Sequence, residues 1–365
     1  MVTDIDGNYE LQIQGGEATL VFSYIGMQTQ ELKVNSHTGV LNVTMLDDSQ
    51  MIDDVVVVAY GVRKKGTIAG SVSTVKSEKL ENVPTASFDQ ALQGQTPGLT
   101  VMAASGEPSR AATFQIRGTN SINSGTTPLF ILDGVPVESS SFNSINPSDI
   151  ESISVLKDAS STSIYGARAA NGVVVITTKR GRNVGDANVT FRGQWGFSQL
   201  AGSNWDMMNT TERIQYEKEI GLDLGDEYYD KVKGIDVNWM DEVFNNNAPT
   251  QSYELSVNGA TDKTNYYVSG GFFDQDGITF GSSFRRYNVR ANVENRAKEW
   301  LKLGTSTMLA YQETEQAVDG DYAIYAPISA SHFMLPYWNP YNEDGSLAST
   351  NDGTWKGSGV NPIEC

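Results

Sequence analysis

Residues 128–136 read Pro-Leu-Phe-Ile-Leu-Asp-Gly-Val-Pro, and this stretch carries the clearest fold signal in the 365-residue chain. Its four consecutive apolar residues, 129–132, predict a short buried strand. The pair Asp133-Gly134 that follows predicts a tight turn, because both residue types tolerate left-handed backbone. A second apolar run at residues 173–176 predicts another buried strand.

Shorter signals extend this pattern on both sides. Ser87 and Gln90 have the spacing of a helix capping box, and Pro97-Gly98 ends the helix that they open. We expect this helix to bury Phe88, Ala91 and Leu92. Further strands are predicted at residues 71–75, 99–102, 114–117 and 153–156, and a short Ser/Ala-rich segment lies at 159–170. Residues 62–182 therefore predict a mixed α/β unit.

The chain changes character after this unit, because apolar and polar residues begin to alternate with a period of two. The alternation predicts four strands, and residues 266–273 predict a fifth that has apolar residues on both faces. Each strand is expected to have about 10 residues, the length that spans a bilayer when the strand is tilted. They lie around residues 188–197, 253–258, 266–273, 286–293 and 301–311. In the fourth of them, Arg286, Asn288, Arg290 and Asn292 share the polar face. Aromatic residues suited to a membrane-interface girdle are Trp195, Phe197, Tyr253, Phe284, Tyr287, Trp300 and Tyr311.

The connections between these strands alternate in length. A long excursion at residues 200–248, with helix-like stretches at 211–220 and 239–244, is followed by a tight turn at 261–263. A loop of intermediate length surrounds residues 274–277, and a second tight turn is predicted at 295–298. Short turns on one side and long loops on the other are typical of membrane β-barrels. A soluble β-sandwich shares the alternation within strands and stays open as an alternative.

Two short segments precede the α/β unit. Residues 1–46 predict a small β-unit with strands at 9–13, 18–24, 29–34 and 41–45. Residues 47–61 contain four aspartates followed by four consecutive valines, Val55 to Val58. These valines favour a strand, either one buried in the fold or one exposed for addition to the edge of a partner's sheet.

Charge divides the chain at the same boundaries. Residues 1–61 carry a net charge of −8, residues 62–182 carry +3, and residues 183–365 carry −13, within a total of −18. Such an acidic chain is a poor nucleic-acid binder. The chain has one cysteine, Cys365, and two histidines, His37 and His332, so neither a disulfide nor a His-rich metal site is expected.

Membrane and targeting signals are also informative. No apolar run reaches about 18 residues, so no transmembrane helix is expected. Residues 1–14 lack the features of a signal peptide. We expect that the chain begins after a missing N-terminus and that most of a barrel is missing after residue 312.

The order of these segments resembles the TonB-dependent outer-membrane transporters, specifically the SusC-like (RagA-type) subfamily. Residues 3–34 look like its leading carboxypeptidase-regulatory-like domain, and residues 54–61 (DVVVVAYG) look like its TonB box. Residues 115–118 (QIRG), 128–136 and 160–181 look like the signatures of its plug. Any one of these motifs is weak, but their order within one chain is specific.

The resemblance implies a β-rich multidomain chain with four segments. Residues 1–46 form a partial carboxypeptidase-regulatory-like domain, which is a small β-sandwich-like unit, and residues 47–65 form a TonB-box linker. Residues 66–182 form a mixed α/β plug. Residues 183–365 form the first strands of an antiparallel transmembrane β-barrel, with its extracellular loops. It assigns the TonB box to Asp54, Val55, Val56, Val57, Val58, Ala59, Tyr60 and Gly61. It assigns plug roles to Arg117, Gly118, Asp133, Gly134, Tyr165, Gly166, Arg168, Asn171 and Gly172.

Each plug residue also has a plainer interpretation, in which the glycines serve tight turns and the arginines form internal ion pairs. Aromatic residues in the last segment could stack on sugar rings or could simply pack the loops. The residues named for substrate contact are Tyr322, Tyr325, Tyr337 and Trp338.

The resemblance implies energy-coupled import of an oligosaccharide or a peptide across the outer membrane, with the plug as gate. The implied partners are TonB, a SusD-like surface lipoprotein, outer-membrane lipid and the substrate. It places the plug and TonB box on the periplasmic side and the long loops outside the cell. No cofactor, metal or catalytic residue is expected, and the chain is not expected to be an enzyme. The alternative is a surface-exposed binding or adhesion module without transport.

Overall fold

A computed structural model of the chain describes residues 9, 17–22, 30–35, 40–44, 55–58, 61–64, 72–80, 85, 88–102, 107–108, 110, 112–118, 125–181, 186–202, 206–317 and 326–364. The chain divides into two compact units, one of residues 1–56 and 61–68 and one of residues 57–60 and 69–365. Every helix among the described residues is too short or too polar to cross a membrane.

The first unit contains an antiparallel pair of strands, β1 (Glu17–Phe22) and β2 (Gln30–Asn35). Both lie where the alternation predicts strands. The aromatic ring of Tyr9 packs edge-on against that of Phe22 at 5.4 Å between centroids. The strand predicted at 41–45 is wrong over its described residues, 41–44, which form no strand. The strand predicted at 9–13 lies outside the described residues except for Tyr9.

The valine run and the segment after it form two short strands, β3 (Val55–Val58) and β4 (Gly61–Lys64), which pair with each other. The segment is therefore extended, as the sequence predicts. Within the described residues, β3 has β4 as its single strand neighbour.

The second unit begins with a five-stranded mixed sheet. Its strands are β5 (Val72–Lys76), β8 (Leu129–Leu132), β9 (Val135–Val137), β10 (Ile150–Leu156) and β11 (Val173–Thr178). They lie in the order β5-β10-β11-β8-β9, and the pair of β11 with β8 is parallel. The apolar run of β11 is buried along Val173, Val174, Val175 and Ile176, as a central strand requires.

Short elements pack with this mixed sheet. We call the sheet and these elements, residues 72–181, the plug. Strands β6 (Leu99–Met102) and β7 (Thr113–Ile116) form a hairpin-like pair, and the helices α1 (Ser77–Leu80), α2 (Phe88–Ala91) and α3 (Ala159–Thr162) are single turns. Phe88, Ala91 and Leu92 are buried, as predicted. Ser87, the predicted cap, lies outside the described residues.

Aromatic rings fill the plug core. Phe142 packs against Phe88 and Phe130 with ring centroids 4.7 and 4.5 Å apart, and Phe130 packs against Phe114 at 5.0 Å. Such tilted and edge-on ring pairs add about 0.5–1.5 kcal/mol each beyond the burial of apolar area. Phe142 lies in a 3-10 helix, Ser139–Ser144, and thus brings this connection into the core.

Five long antiparallel strands form the second sheet, which we call the strand wall. They are β12 (Asn188–Ser198), β13 (Ala248–Ala260), β14 (Thr264–Asp276), β15 (Ser283–Lys298) and β16 (Leu301–Glu315), paired in chain order. All five predicted strands are present. The predicted tight turn at 261–263 is confirmed by the gap between β13 and β14. The tight turn predicted near 295–298 is present but lies a few residues further along, at Glu299-Trp300, because residues 295–298 continue β15.

The two faces of the strand wall have inverted polarity. Apolar side chains such as Phe191, Trp195 and Val289 are exposed, whereas Arg286 and Arg290 on the opposite face are buried. A β-sandwich would bury its apolar face against a second sheet. An apolar exterior with a polar interior is instead typical of a membrane barrel, so the sandwich interpretation is wrong for this sheet.

Phe284 departs from the predicted aromatic girdle. It lies on the buried face of β15 and packs against Phe273, with ring centroids 6.1 Å apart. Its even number places it in the same register as Arg286, whereas Tyr287 on the opposite face is exposed.

The connections after β12 and β16 form a loop module, whose described residues are 200–202, 206–246 and 326–364. It contains α4 (Thr210–Glu219), α5 (Asp226–Val232), α6 (Trp239–Val243) and α7 (Pro327–Phe333), of which the sequence predicts α4 and α6 and misses α5 and α7. Trp239, Met334 and Trp355 belong to its separate apolar core. Buried Glu217 joins the two segments by accepting hydrogen bonds from Arg213 at 2.8 Å and from the Tyr337 hydroxyl at 2.9 Å.

Gly172 lies where the plug tolerates no side chain. Its φ is +90°, and an added Cβ would lie 2.7 Å from Ile116 Cδ1 and 3.1 Å from the Leu156 carbonyl oxygen. We predict that Gly172→Ala lowers the free energy of local opening of β11 by about 1–3 kcal/mol, through backbone strain and a clash in the core. Hydrogen exchange of β11 amides in the full-length protein measures this energy.

Gly94→Ala is the matched control, because Gly94 also has a positive φ, +72°, but no atom lies within 4 Å of its added Cβ. Alanine at position 94 would therefore have a strained backbone but would not clash with a neighbouring atom. Equal effects of the two substitutions on local opening would contradict the packing account of Gly172.

Candidate functional site: the contact between plug and strand wall

Asp133 lies at the centre of the contact between plug and strand wall. Asp133 and Gly134 both have left-handed backbone, with φ of 48° and 91°, and connect β8 to β9 in a two-residue turn. This turn directs the Asp133 carboxylate to the end of β11. There it accepts hydrogen bonds from the Thr178 amide at 3.0 Å and the Thr178 hydroxyl at 2.7 Å.

The same carboxylate pairs with an arginine of the strand wall. Arg290 on β15 approaches it with 2.5 Å between Nη2 and Oδ2, and the two side chains are 2% and 7% exposed. A buried ion pair is tolerated when further hydrogen bonds satisfy both partners. Arg290 Nη2 also donates to the Ser306 hydroxyl at 3.3 Å.

These contacts close into a ring of five side chains. Asn292 donates to the Thr178 hydroxyl at 3.0 Å and accepts from the Ser306 hydroxyl at 2.8 Å. The ring therefore runs Asp133, Arg290, Ser306, Asn292, Thr178 and back to Asp133. Two of its members belong to the plug and three to the strand wall, so we call it the plug–wall ring.

A second carboxylate contacts the wall through hydroxyl groups. Asp149 ends a short 3-10 helix, Pro147–Asp149, and is buried. Its Oδ1 accepts from the Tyr267 hydroxyl at 2.9 Å and the Ser269 hydroxyl at 2.5 Å. Burial raises the pKa of Asp149 above its ordinary value, and the hydrogen bonds from Ser269 and Tyr267 oppose this rise.

Arg286 provides a third contact. Its guanidinium donates to the carbonyl oxygen of Asn143 at 2.9 Å, within the plug's 3-10 helix. It also lies over the rings of Phe273 and Phe284, at 5.5 and 5.9 Å from their centroids. Cation–π contact of this kind compensates part of the desolvation of a buried guanidinium.

Two glycines lie at close contacts between plug and wall, one against backbone and one against side chains. A Cβ on Gly181 would lie 2.0 Å from the Gly259 carbonyl oxygen on β13. A Cβ on Gly271 would lie 2.9 Å from Asn146 Nδ2 of the plug. A side chain at Gly181 would clash with the backbone of β13 and β14, whereas one at Gly271 would displace the side chains of Asn146 and Asn288.

The other predicted plug residues lie within the plug or on its surface. Arg117 has a φ of 55° and pairs with Asp158 at 2.7 Å, an internal ion pair. Asn171 donates to the Gly125 carbonyl oxygen at 2.6 Å, and Arg168 is exposed. Positive φ angles are found at Gly118, Gly134, Gly166 and Gly172, which therefore serve turns, while Tyr165 is half-buried. Asp133 is thus the predicted residue that the structure brings into contact with the wall.

The aromatic residues predicted to contact substrate differ in their surroundings. Tyr337 is 2% exposed and its hydroxyl donates to Glu217, so it packs within the loop module, and its contact with substrate stays a prediction. Trp338 is half-buried against the same core. Tyr322 and Tyr325 lie outside the described residues, as do Asp54, Ala59 and Tyr60 of the TonB box.

Residues 64–173 match the TonB-dependent Receptor Plug Domain, and residues 1–58 match the CarboxypepD_reg-like domain. The chain is 32% identical to the TonB-dependent receptor SusC of Bacteroides thetaiotaomicron, over 97% of this chain and 36% of that protein. It is 35% identical to the TonB-dependent receptor P26 of Formosa agariphila, over 94% of this chain and 34% of that one.

Solved structures agree with this assignment. The RagAB peptide importer in its open-open state matches with a TM-score of 0.74 and 35% identity, over 85% of this chain and 38% of that chain. The class of protein is therefore a TonB-dependent receptor with its plug. The chain belongs to the SusC-like TonB-dependent receptors, and it spans about a third of the length of the curated relatives that it matches.

Several residues of this site are not predicted by sequence reasoning, namely Asp149, Thr178, Tyr267, Ser269 and Ser306. The polar alternation of β15 does identify Arg286, Arg290 and Asn292 as one face. It gives no sign of which plug residues they meet, because the partners are distant along the chain. A buried carboxylate with hydroxyl donors has no local sequence signature.

The two carboxylates at the contact should respond oppositely to neutralisation. Asp133→Asn leaves buried Arg290 without its counter-charge, and we expect the free energy of plug opening to fall by about 3–5 kcal/mol. Asp149→Asn retains an acceptor for Tyr267 and Ser269 but removes the desolvation of a charge, so we expect the plug to resist opening at least as well as wild type at pH 7. Hydrogen exchange of residues 133–149 in the full-length protein measures both.

The pH dependence of Asp149 has a definite sign. Because its pKa is raised when the plug is seated, its contribution is fully present below the ordinary pKa of an exposed aspartate and is lost as pH rises through the raised value. Asp149→Asn should remove this pH-dependent loss of stability of the seated plug. A plug that opens more readily in Asp149→Asn than in Asp133→Asn would contradict these assignments.

Proposed function

We propose that this chain forms the gate of a TonB-dependent importer that carries an oligosaccharide or a peptide across the outer membrane. The observation that supports this proposal most directly is the polar contact between the plug and the strand wall. An ion pair, a ring of hydrogen bonds and two buried carboxylates lie where a permanent domain interface would carry apolar side chains.

The chemistry of this contact suits a gate. Burial of an apolar interface contributes roughly 25 cal/mol per Å², and this energy is lost in full when the faces separate in water. A hydrogen-bonded interface exchanges its bonds for bonds to water, with a net loss of about 0.5–1.5 kcal/mol for each. The plug is therefore fixed in register by directed contacts and can be displaced by a moderate force.

The segment of residues 54–61 would receive that force. Strand β3 has one neighbour among the described residues, β4, so its other edge offers backbone donors and acceptors to a partner strand. Addition of a strand to such an edge needs regular backbone geometry and few specific side chains. In our proposal TonB pairs with residues 55–60 on the periplasmic side and pulls on the plug.

The strand wall would contact outer-membrane lipid through its apolar face. Val189, Phe191 and Trp195 on β12, with Val289 and Leu309 on β15 and β16, are each more than half exposed. In this arrangement the long loops face the cell exterior, where a SusD-like lipoprotein would act as a lid. The relatives are receptors rather than enzymes, and our proposal requires no bond-making step from this chain.

Deletion of residues 55–60 from the full-length protein should abolish energy-dependent uptake and growth on the substrate, with normal amounts of the protein at the cell surface. The physical reason is the loss of the strand that couples the plug to TonB. Uptake of labelled substrate by whole cells measures this directly.

A point substitution with a matched control refines this test. Val57→Pro removes a backbone donor from the strand, whereas Val57→Thr retains both the donor and high strand propensity. We expect Val57→Pro to reduce uptake severely and Val57→Thr to retain most of it. Unchanged uptake in the deletion would contradict the assignment of the TonB box.

A further inference from the structure

The loop module contains a cleft of 730 Å³ between its two segments. Its lining comes from residues within 200–202 and 206–246 and from residues 331–336. The two sides are held together by the Trp239 indole, which donates to the Leu335 carbonyl oxygen at 3.0 Å, and by the Val237 amide, which donates to the Pro336 carbonyl oxygen at 2.7 Å. Its volume is within the range of small-molecule and peptide sites.

Three carboxylates give this cleft a negative potential. Asp206, Asp236 and Asp241 line it and are exposed. Asp236 accepts from the Thr210 backbone amide at 2.8 Å, and Asp241 accepts from the Asn238 side-chain Nδ2 at 2.7 Å. Among the described residues, no lysine or arginine forms an ion pair with any of the three carboxylates.

One arginine lines the cleft, but its charge is already compensated. Arg213 Nε lies 2.8 Å from an oxygen of Glu217, whose side chain is 1% exposed. The carboxylates of the cleft therefore lack a counter-ion of their own within the described part of the chain. Clefts lined by one sign of charge concentrate ligands of the opposite sign.

Apolar side chains lie beside the carboxylates. Met207, Met208 and Phe333 line the cleft and are 37%, 45% and 67% exposed. Methionine is flexible and polarizable, and it accommodates apolar side chains of different shape. Trp239 also lines the cleft, but it is 4% exposed, so its indole face is closed to stacking on a sugar ring.

We propose that this cleft binds peptides in which a lysine or arginine lies next to an apolar side chain. The cation would lie among Asp206, Asp236 and Asp241, and the apolar side chain would pack on Met207, Met208 and Phe333. This proposal deepens the proposed function and rests on it for the route by which the ligand then enters the cell. Polyanions are repelled from the cleft, and neutral glycans gain nothing from its charge.

Direct binding to the purified full-length protein in detergent tests this inference. The probes are the dansyl-labelled hexapeptide Ala-Leu-Lys-Ala-Leu-Lys, its counterpart with glutamate in place of lysine, and unlabelled maltohexaose as competitor. We expect fluorescence anisotropy to show saturable binding of the lysine peptide, weaker binding of the glutamate peptide and no competition by maltohexaose.

The double variant Asp206→Asn, Asp241→Asn should weaken binding of the lysine peptide roughly five- to tenfold, since two exposed charge contacts are lost. Asp230→Asn is the matched control, because Asp230 is an exposed acid of α5 that lies outside the cleft, and it should leave binding unchanged. Equal affinity in wild type and the double variant would overturn the proposal, as would displacement by maltohexaose.

The salt dependence of wild-type binding provides a second readout that needs no variant. Affinity for the lysine peptide should fall as ionic strength rises, because screening weakens contacts between exposed charges; affinity independent of salt would also overturn the proposal. Binding in detergent does not involve TonB. If the lysine peptide binds but uptake is unchanged after deletion of residues 55–60, the proposed TonB-dependent import is contradicted. The proposal that the cleft binds peptides would still stand.

Discussion

The buried face of the strand wall is polar, and the rest of the structure follows from this constraint. Arg286, Arg290 and Asn292 alternate along β15, and each is removed from water by the plug. A buried guanidinium without partners would cost several kcal/mol. The plug supplies these partners through the Asp133 carboxylate, the Asn143 carbonyl oxygen and the Thr178 hydroxyl. These directed contacts between the plug and β15 specify the register in which the plug seats.

The elements of the plug can be understood from this requirement. The left-handed turn at Asp133-Gly134 positions a carboxylate at the end of β11, and the 3-10 helix Pro147–Asp149 positions a second one against β14. Behind this polar surface lies an apolar core of phenylalanine rings that keeps the plug rigid. A rigid body held by directed polar contacts moves as a unit when it is pulled. That property is what the proposed gate requires.

The sequence predicts the strands of this protein well and their contacts poorly. Strand β11 and all five strands of the wall follow from apolar runs and period-two alternation, because these patterns reflect local burial. Phe284 is assigned to the exposed aromatic girdle by its residue type, although its even number places it on the same face as buried Arg286. The bond of Tyr267 to Asp149 joins residues 118 positions apart, and local pattern cannot specify such a pairing. The plug signatures find Asp133 through its turn, but they give no indication of its partner, Arg290.

The central claim is that the plug covers the polar face of the wall and uncovers it when TonB engages residues 55–60. Labelling of Ser269→Cys by a water-soluble maleimide in cells tests this most directly, because Ser269 is buried beneath Asp149. In this variant the Tyr267 hydroxyl remains as a hydrogen-bond donor to the Asp149 carboxylate. Asp262→Cys, in the exposed turn between β13 and β14, reports the access of the reagent. The account predicts slow labelling of Cys at position 269 without TonB and fast labelling with energised TonB and substrate. Equally fast labelling at both positions without TonB would contradict it.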